Sequence, residues 1–421
     1  MNCSSTHRHG WHRVVNAACD AMKNWVCIVL LLVFVSDASA DERSETLRVY
    51  FIGNSVTDTI RYESFAKLAE SRDQSIVWGR HMIPGAPLEW IHSHADSGFM
   101  QEPFGHYPKA LGDFVWDAVS VQPFDRQLHS KDAEGDRGDV EMIRDFAERA
   151  AKRNPNVQIY IYARWPRITA GGKGLEFDKN DYDPTKPGSG ADLSTADSYA
   201  QRFNAEYTGG WDATNETRDY FDQLLAEVRK VTPLLKKPPQ LVPVGEVMFR
   251  LDEKMRAGDV PGYTSIYQLY RDGIHLGELG SYLVGCTFFA TMTHQSPLGL
   301  PTEPYGILEP VVAEAVQKTV WEVVQEYEKK YVTSDRETGG FVIDVRSQEE
   351  WEAGHVERAS HIPHTEIADR IKEVTDDKNA KIVLYCAAGS RAGIAKKALE
   401  DLGFTNVENA GGYDDVKDRL K

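Results

Sequence analysis

The sequence predicts an α/β protein built of two units with parallel sheets, and three observations lead there. Short apolar, β-rich runs alternate with amphipathic stretches. The alternation stops at a polar segment, Val332–Thr338, and restarts beyond it on a smaller scale. The composition, 421 residues with 41% hydrophobic and 27% charged, is globular and leaves room for two or three domains. Leu47–Gly53, Ser75–Trp78, Ala118–Gln122, Val157–Ala163 and Leu241–Val244 read as buried strands. Val140–Arg153 and Thr217–Val231 carry apolar residues at helical spacing. A long helix runs from Leu308 to about Tyr331, and the polar stretch after it is a linker, which makes 327–338 helix end and domain boundary. Phe341–Val345 is then a strand, Gln348–Glu352 a helical turn and Lys381–Tyr385 a second strand. The predicted domains are therefore 45–326 and 339–421.

The formal charge of −16, from 48 Lys+Arg against 64 Asp+Glu, would repel a phosphate backbone, so no nucleic acid partner is expected. Trp25–Val35 is an unbroken apolar run of 11 residues, well short of the roughly 20 needed to span a membrane. Met22-Lys23 precedes it and Ala38-Ser39-Ala40 follows, the pattern of a signal peptide that starts at Met22 and is cleaved before Asp41. Residues 1–40 are thus expected to be leader, and the mature protein periplasmic or secreted, with no stable membrane anchor. Losing the leader's three basic and two acidic side chains gives −17. Cys3, Cys19 and Cys27 go with it, leaving Cys286 and Cys386, too few for a disulfide framework. A thiol kept in an oxidising compartment points to use.

Cys386 ends an apolar strand, and the helix Ala392–Leu402 begins just after it. A tight loop feeding a helix N-terminus aims backbone N–H groups and the positive end of the dipole at its centre, which stabilises a thiolate. Gly389 permits the curl, and Arg391 brings a positive charge beside the sulfur. Cys286 lies in the apolar, helix-like stretch Ser281–Met292 and reads as a packed core residue.

Asp344-Val345-Arg346, Gly354-His355-Val356, the stretch from Ala359 to Ile362-Pro363, Cys386 to Arg391, and Gly403-Phe404 with Gly411-Gly412 occur in the order found in rhodanese domains. Residues 339–421 resemble that family, most closely its small single-domain periplasmic members of the phage-shock type. The resemblance implies a sulfurtransferase in which Cys386 takes the outer sulfur of thiosulfate or a related donor as a persulfide and passes it to cyanide or a thiol. It makes Ala387, Ala388, Gly389, Ser390 and Arg391 the anion-cradling loop, with Arg391 steadying the donor and Asp344 and Arg346 supporting the fold. Many thiosulfate-using members carry a basic residue where this chain has Ala387. A cysteine phosphatase loop needs five residues between Cys and Arg, and here only four intervene.

In the larger unit, the first strand ends in Gly53-Asn54-Ser55, which places a hydroxyl at the C-terminal edge of the sheet, where ligands of open α/β sheets collect. Asp272 and His275 form the chain's one Asp-x-x-His pair, in a loop entering a late helix. The acid can orient the ring while its far nitrogen takes the serine proton. These blocks resemble the SGNH/GDSL hydrolases, which implies a flavodoxin-like three-layer domain and serine esterase chemistry by Ser55, His275 and Asp272, on acyl esters or acylated carbohydrate. Gly85 matches the glycine whose N–H joins that of Ser55 in the oxyanion hole. The family's Gly-x-Asn-Asp block is absent, and Gln122-Pro123-Phe124-Asp125 stands at the end of the corresponding strand. Gln122 is expected either to complete the oxyanion hole or to bond backbone as a strand-end residue.

His81, His92 and His94 lack further ligands at metal spacing, so surface or supporting roles are expected, with no metal and no cofactor. Trp90, Trp165 and Trp211 read as core aromatics or as sugar-stacking platforms. The Gly-, Asp-, Lys- and Ser-rich stretch Pro166–Trp211 reads as a lid, a binding loop or a solvated insertion. The contrasting functional reading is that one or both domains bind without catalysis, the first as a carbohydrate-recognition module and the second as a sulfide or redox sensor.

Overall fold

Val49 and Phe51 of the first strand point into one apolar core while Tyr50 and Ile52 point into another, and this alternation shows a sheet covered on both faces. The computed structural model describes residues 46–417 apart from 130–136, 177–182, 184–192, 210–212, 233–234, 307–308, 339, 357, 376–377 and 379. The leader assigned to residues 1–40 and Trp211 lie outside the described residues.

The larger sheet has six strands: β1 (Leu47–Gly53), β2 (Ile76–Met82), β3 (Phe99–Met100), β4 (Ala118–Val121), β5 (Gln158–Tyr162) and β6 (Gln240–Val242), in the order β3-β2-β1-β4-β5-β6. All neighbours are parallel except the short edge strand β3. Without β3 this is the flavodoxin-like order 2-1-3-4-5, whose topological switch point falls between β1 and β4.

One face is covered by α1 (Tyr62–Glu70), α4 (Val244–Ala257), α5 (Glu278–Thr293) and α6 (Pro310–Thr338), and the other by α2 (Asp139–Ala151) and α3 (Arg218–Val231). Helix α5 is buried from Leu279 to Met292, with Cys286 fully enclosed. Such all-round apolarity is what a helix sandwiched between layers requires. Among the described residues, no helix is long and apolar enough to cross a membrane.

Helix α6 corrects one expectation. The sequence predicts a linker after Tyr331, but the helix continues to Thr338. Val332–Thr338 contains neither Gly nor Pro, and the first backbone-breaking residues are Gly339-Gly340. Polar composition alone does not stop a helix.

The smaller unit is a four-stranded parallel sheet of β7 (Phe341–Asp344), β8 (Ser360–His361), β9 (Ile382–Cys386) and β10 (Val407–Gly412), in the order β8-β7-β9-β10. Along β9, Ile382, Leu384 and Cys386 enter one core while Val383 and Tyr385 enter the other. Helix α7 (Ser390–Asp401) follows three residues after Cys386 and closes the first core with Ala392, Ala395 and Leu399.

Candidate active sites

At the end of β9 the chain turns through Ala387, Ala388 and Gly389 into the N-terminus of α7. Gly389 has φ +86°, and a Cβ there would come within 3.3 Å of the Gly411 backbone, so both conformation and space demand glycine. Its N–H donates to Cys386 Sγ at 3.1 Å. Burial pushes the Cys386 thiol up, but hydrogen bonds from the backbone N–H groups of Ala392, Ala388, Arg391 and Gly389 outweigh it and leave the thiol below its ordinary value. The sulfur thus sits in a cradle of amides at a helix N-terminus. Ala387, Ala388 and Ser390 are exposed around its mouth.

Arg391 is more constrained than the sequence suggests. Nη1 and Nη2 donate to the two Glu350 oxygens at 2.6 and 2.7 Å, and Ser347 N–H holds the same carboxylate at 3.1 Å. The Arg391 hydrogen bonds draw Glu350 down to about 2. The Arg391 guanidinium is therefore paired within the protein. Arg346 pairs with the buried Asp344, donates to Gly354 O at 2.6 Å and lies over the Tyr413 ring, tying the end of β7 to the following turn. Asn409, which the sequence did not single out, donates from Nδ2 to Gly389 O at 2.9 Å and accepts from Gly411 N–H, so β10 braces the cradle.

Cys286 is also a free thiol, and its burial pushes it up to about 12. We therefore expect iodoacetamide to alkylate the chain lacking the leader, Asp41–Lys421, at Cys386 and not at Cys286. The rate should rise with pH through a midpoint below that of an unperturbed thiol, because the lowered value leaves more thiolate at neutral pH.

In the larger sheet, Ser55 follows β1 at the switch point. His275 Nε2 lies 2.9 Å from Ser55 Oγ, and His275 Nδ1 lies 2.9 and 3.0 Å from the Asp272 carboxylate oxygens. Asp272 Oδ1 also accepts the backbone N–H groups of His275 and Ile274, at 2.8 and 3.0 Å. Burial would raise this carboxyl, but the bonds from the His275 ring and from those two amides hold it well below the usual range. An ionised Asp272 assigns the proton to Nδ1 and leaves Nε2 as the acceptor for the serine hydroxyl.

The turn carrying Ser55 is fixed by its neighbours. A Cβ on Gly53 would lie 2.0 Å from Thr57 Oγ1 and 2.8 Å from Gln122 Cβ, so no larger residue fits. Asn54 Oδ1 accepts Val56 N–H at 2.9 Å, and Nδ2 donates to Ala86 O at 3.1 Å, which links this turn to the loop holding Gly85. Among the described residues, the N–H groups of Ser55 and Gly85 donate to no protein acceptor.

Gln122 is engaged in the serine turn on both sides of its carboxamide. Its Oε1 accepts Asn54 N–H at 3.3 Å and the Thr57 hydroxyl at 3.2 Å, and its Nε2 donates to Pro123 O at 2.5 Å. Flipping the amide would set donor against donor and oxygen against oxygen, so the partners fix its orientation. It is the strand-end residue that bonds backbone, and it supports the serine turn.

Residues 325–419 match the family model for the rhodanese-like domain. Thiosulfate sulfurtransferase PspE of Escherichia coli is 45% identical over 74 residues, which cover 18% of this chain and 71% of that one. The chain belongs to the rhodanese family. Thiosulfate sulfurtransferase GlpE of Pseudomonas fluorescens is 34% identical over 77 residues, 18% of this chain and 69% of that one. A DUF4886 family protein from Bacteroides uniformis is 19% identical, covers 67% of this chain and 95% of its own, and superposes with a TM-score of 0.42. The rhodanese match begins within α6, ahead of the boundary predicted at residue 339.

Outside the rhodanese domain, the remaining sequence candidates scatter. His81 is fully buried, with Nδ1 accepting Tyr107 N–H and Nε2 donating to Ser97 O, and burial pushes it down to about 4. His92 pairs with Asp145, and His94 stacks on the half-exposed Trp90. Among the described residues, no cluster of three or more His, Cys, Asp or Glu is placed to hold a metal.

Trp165 is no sugar platform: it is fully buried, and its Nε1–H donates to Ile274 O at 2.7 Å. Ile168 N–H donates to Gly273 O at 2.9 Å, and Tyr270 Oη–H to Pro166 O at 2.7 Å. The segment after β5 is thus a strap across the loop that presents Asp272 and His275. It opens the stretch Pro166–Trp211 that the sequence marks as a lid, a binding loop or an insertion, of which 177–182, 184–192 and 210–212 lie outside the described residues.

Proposed function

We propose that the chain is an exported enzyme with two nucleophiles, a sulfurtransferase working through a Cys386 persulfide and a serine ester hydrolase working through Ser55. The sulfurtransferase reading is carried by the amide cradle on Cys386, supported by relatives that are named thiosulfate sulfurtransferases. The thiolate attacks the outer sulfur of thiosulfate, the S–S bond breaks, and sulfite leaves with the electron pair. Cyanide or a thiolate then attacks the terminal sulfur of the persulfide and regenerates the Cys386 thiolate. The donor is a small sulfane compound, thiosulfate or a relative of it.

The hydrolase reading is carried by the unbroken chain Asp272–His275–Ser55. His275 Nε2 takes the hydroxyl proton as Ser55 Oγ attacks the ester carbonyl, and Asp272 stabilises the imidazolium. The N–H groups of Ser55 and Gly85 receive the developing oxyanion, and His275 returns its proton to the leaving alcohol. Water then repeats the cycle on the acyl-enzyme. A binding-only fold has no reason to align a base on this hydroxyl, so a serine-directed fluorophosphonate discriminates between the two. We expect one label, on Ser55, and hydrolysis of short acyl esters; a protein that takes no label and cleaves no ester contradicts this reading.

The strap supplies a further expectation. Trp165→Phe keeps the buried ring but removes the N–H and leaves Ile274 O without its donor, at a cost of roughly 1–3 kcal/mol. Expressed in the placement of His275, this gives about a tenfold fall in kcat for a short acyl ester, with KM changed far less. Steady-state kinetics on the full chain checks the split.

A further inference from the structure

The turn that faces the Cys386 cradle is built around one carboxylate. Ser347 and Glu350 cap the short helix Gln348–Glu352 reciprocally: the Ser347 hydroxyl accepts Glu350 N–H at 3.4 Å, and Ser347 N–H donates to Glu350 Oε2 at 3.1 Å. The next residue, Trp351, stacks on His355 with ring centroids 3.5 Å apart and on His361 of β8 at 4.9 Å. The turn is thus tied to the sheet, and Glu350 is fixed before it meets any partner across the site.

That partner is Arg391. Nη1 and Nη2 each donate to a different Glu350 oxygen, the end-on pairing that sets both the place and the plane of a guanidinium. It uses the edge that the two Nη atoms share; among the described residues, Arg391 Nε donates to no carbonyl or carboxylate. Arg391 also belongs to the cradle. Its backbone N–H is one of the four that bond the Cys386 sulfur, and its side chain bonds the same sulfur. The bonds to Glu350 hold the guanidinium above its ordinary value, and the charge of Cys386 adds to this.

Stability does not account for this arrangement. The Arg391 and Glu350 side chains are 27% and 34% exposed, and pairs so well solvated contribute little to folding. Attraction of an anionic donor does not account for it either, because Glu350 offsets the charge it holds. What the pairing supplies is direction. As the Cys386 thiolate bonds to the outer sulfur of thiosulfate, the S–S bond breaks and its electron pair goes to the departing sulfite, whose oxygens gain negative charge. A guanidinium edge already in place receives that charge without reorganising, whereas a mobile arginine must first be ordered.

We propose that Glu350 is a positioning residue for sulfur transfer, holding Arg391 beside Cys386 with its Nε edge toward the oxygens of the sulfane donor. This rests on the sulfurtransferase reading. The test follows the one-sulfur adduct and thiocyanate release in the chain lacking the leader, residues 41–421, and in its Glu350→Gln, Arg391→Ala and doubly substituted forms. Glutamine still accepts Ser347 N–H, so the turn keeps its cap, but it sets an amide donor against Arg391 in place of one carboxylate oxygen.

Glu350→Gln is expected to lower kcat/KM for thiosulfate about tenfold, as the loss of one charge-assisted bond does, and to lower it no further once Arg391 is alanine. Iodoacetamide is neutral and needs no guanidinium, so well above the midpoint of its pH profile it should alkylate Cys386 in all four proteins at the same rate. Losses that add in the double variant, or an equal loss toward iodoacetamide, would show a structural role only. An unchanged kcat/KM removes the role, and a rise means that Glu350 restrains Arg391. Each of these overturns the proposal and leaves the sulfurtransferase reading standing. If the unsubstituted chain takes up no sulfur from thiosulfate while iodoacetamide reaches Cys386, the thiosulfate reading itself fails and the proposal with it.

Discussion

Ser55→Ala is expected to lower the hydrolysis of a short acyl ester by a factor on the order of 10⁵, with the fold intact. The loss is large because Ser55 Oγ is the atom that forms the acyl bond, and among the described residues no other hydroxyl is hydrogen-bonded to His275. The fold should survive because the turn is held by Asn54 and Gln122, whose bonds to Val56, Ala86, Thr57 and Pro123 do not involve the serine side chain. Spectrophotometric ester assays, with thermal unfolding of both proteins, check both halves. Hydrolysis that persists near the wild-type rate would show another nucleophile at work.

Cys386→Ser is expected to abolish persulfide formation and thiocyanate production together. A hydroxyl in the same cradle does not ionise near neutral pH and cannot hold a sulfane sulfur, although it fills the same space and accepts the same amide bonds. Cys286 cannot substitute, being fully enclosed in α5 with its thiol pushed up to about 12. Thiocyanate release from thiosulfate and cyanide, followed in wild type and variant side by side, measures this. A wild type that takes up no sulfur while Cys386 is free would mean that Ala387, where many thiosulfate users place a cation, has changed the donor.

The residues readable from sequence were those whose role depends on local order. The strand Leu47–Gly53 is found residue for residue, because a parallel strand buried on both faces is a continuous apolar run with a clear stop at Gly53. Cys386 was legible because strand, tight loop and helix are consecutive in the chain. Asp272 and His275 were legible because three residues of spacing suffice to pair them.

Roles that depend on distant contacts were not legible. The carboxamide of Gln122 is turned by partners in Asn54 and Thr57, 68 and 65 positions away, and nothing local reports which way it points. Trp165 read as a core aromatic or a sugar platform; it is a core aromatic, and its partner is a carbonyl 109 positions on, which no local pattern reports. The convergence of Arg164, Arg167 and Arg202 on Glu216 joins three stretches of chain that the sequence pattern leaves unrelated. Strand β3, two residues long, carries too few positions to show a period.

The account's central claim is that a single chain carries two activated nucleophiles, and the most direct test is the intact mass of the full chain after exposure to thiosulfate and a serine-directed fluorophosphonate, followed by peptide mapping. The account predicts one molecule bearing both one added sulfur, on Cys386, and one phosphonyl group, on Ser55, with Cys286 unmodified. A chain that gains neither adduct while both side chains remain free, or that gains them at other residues, would contradict it.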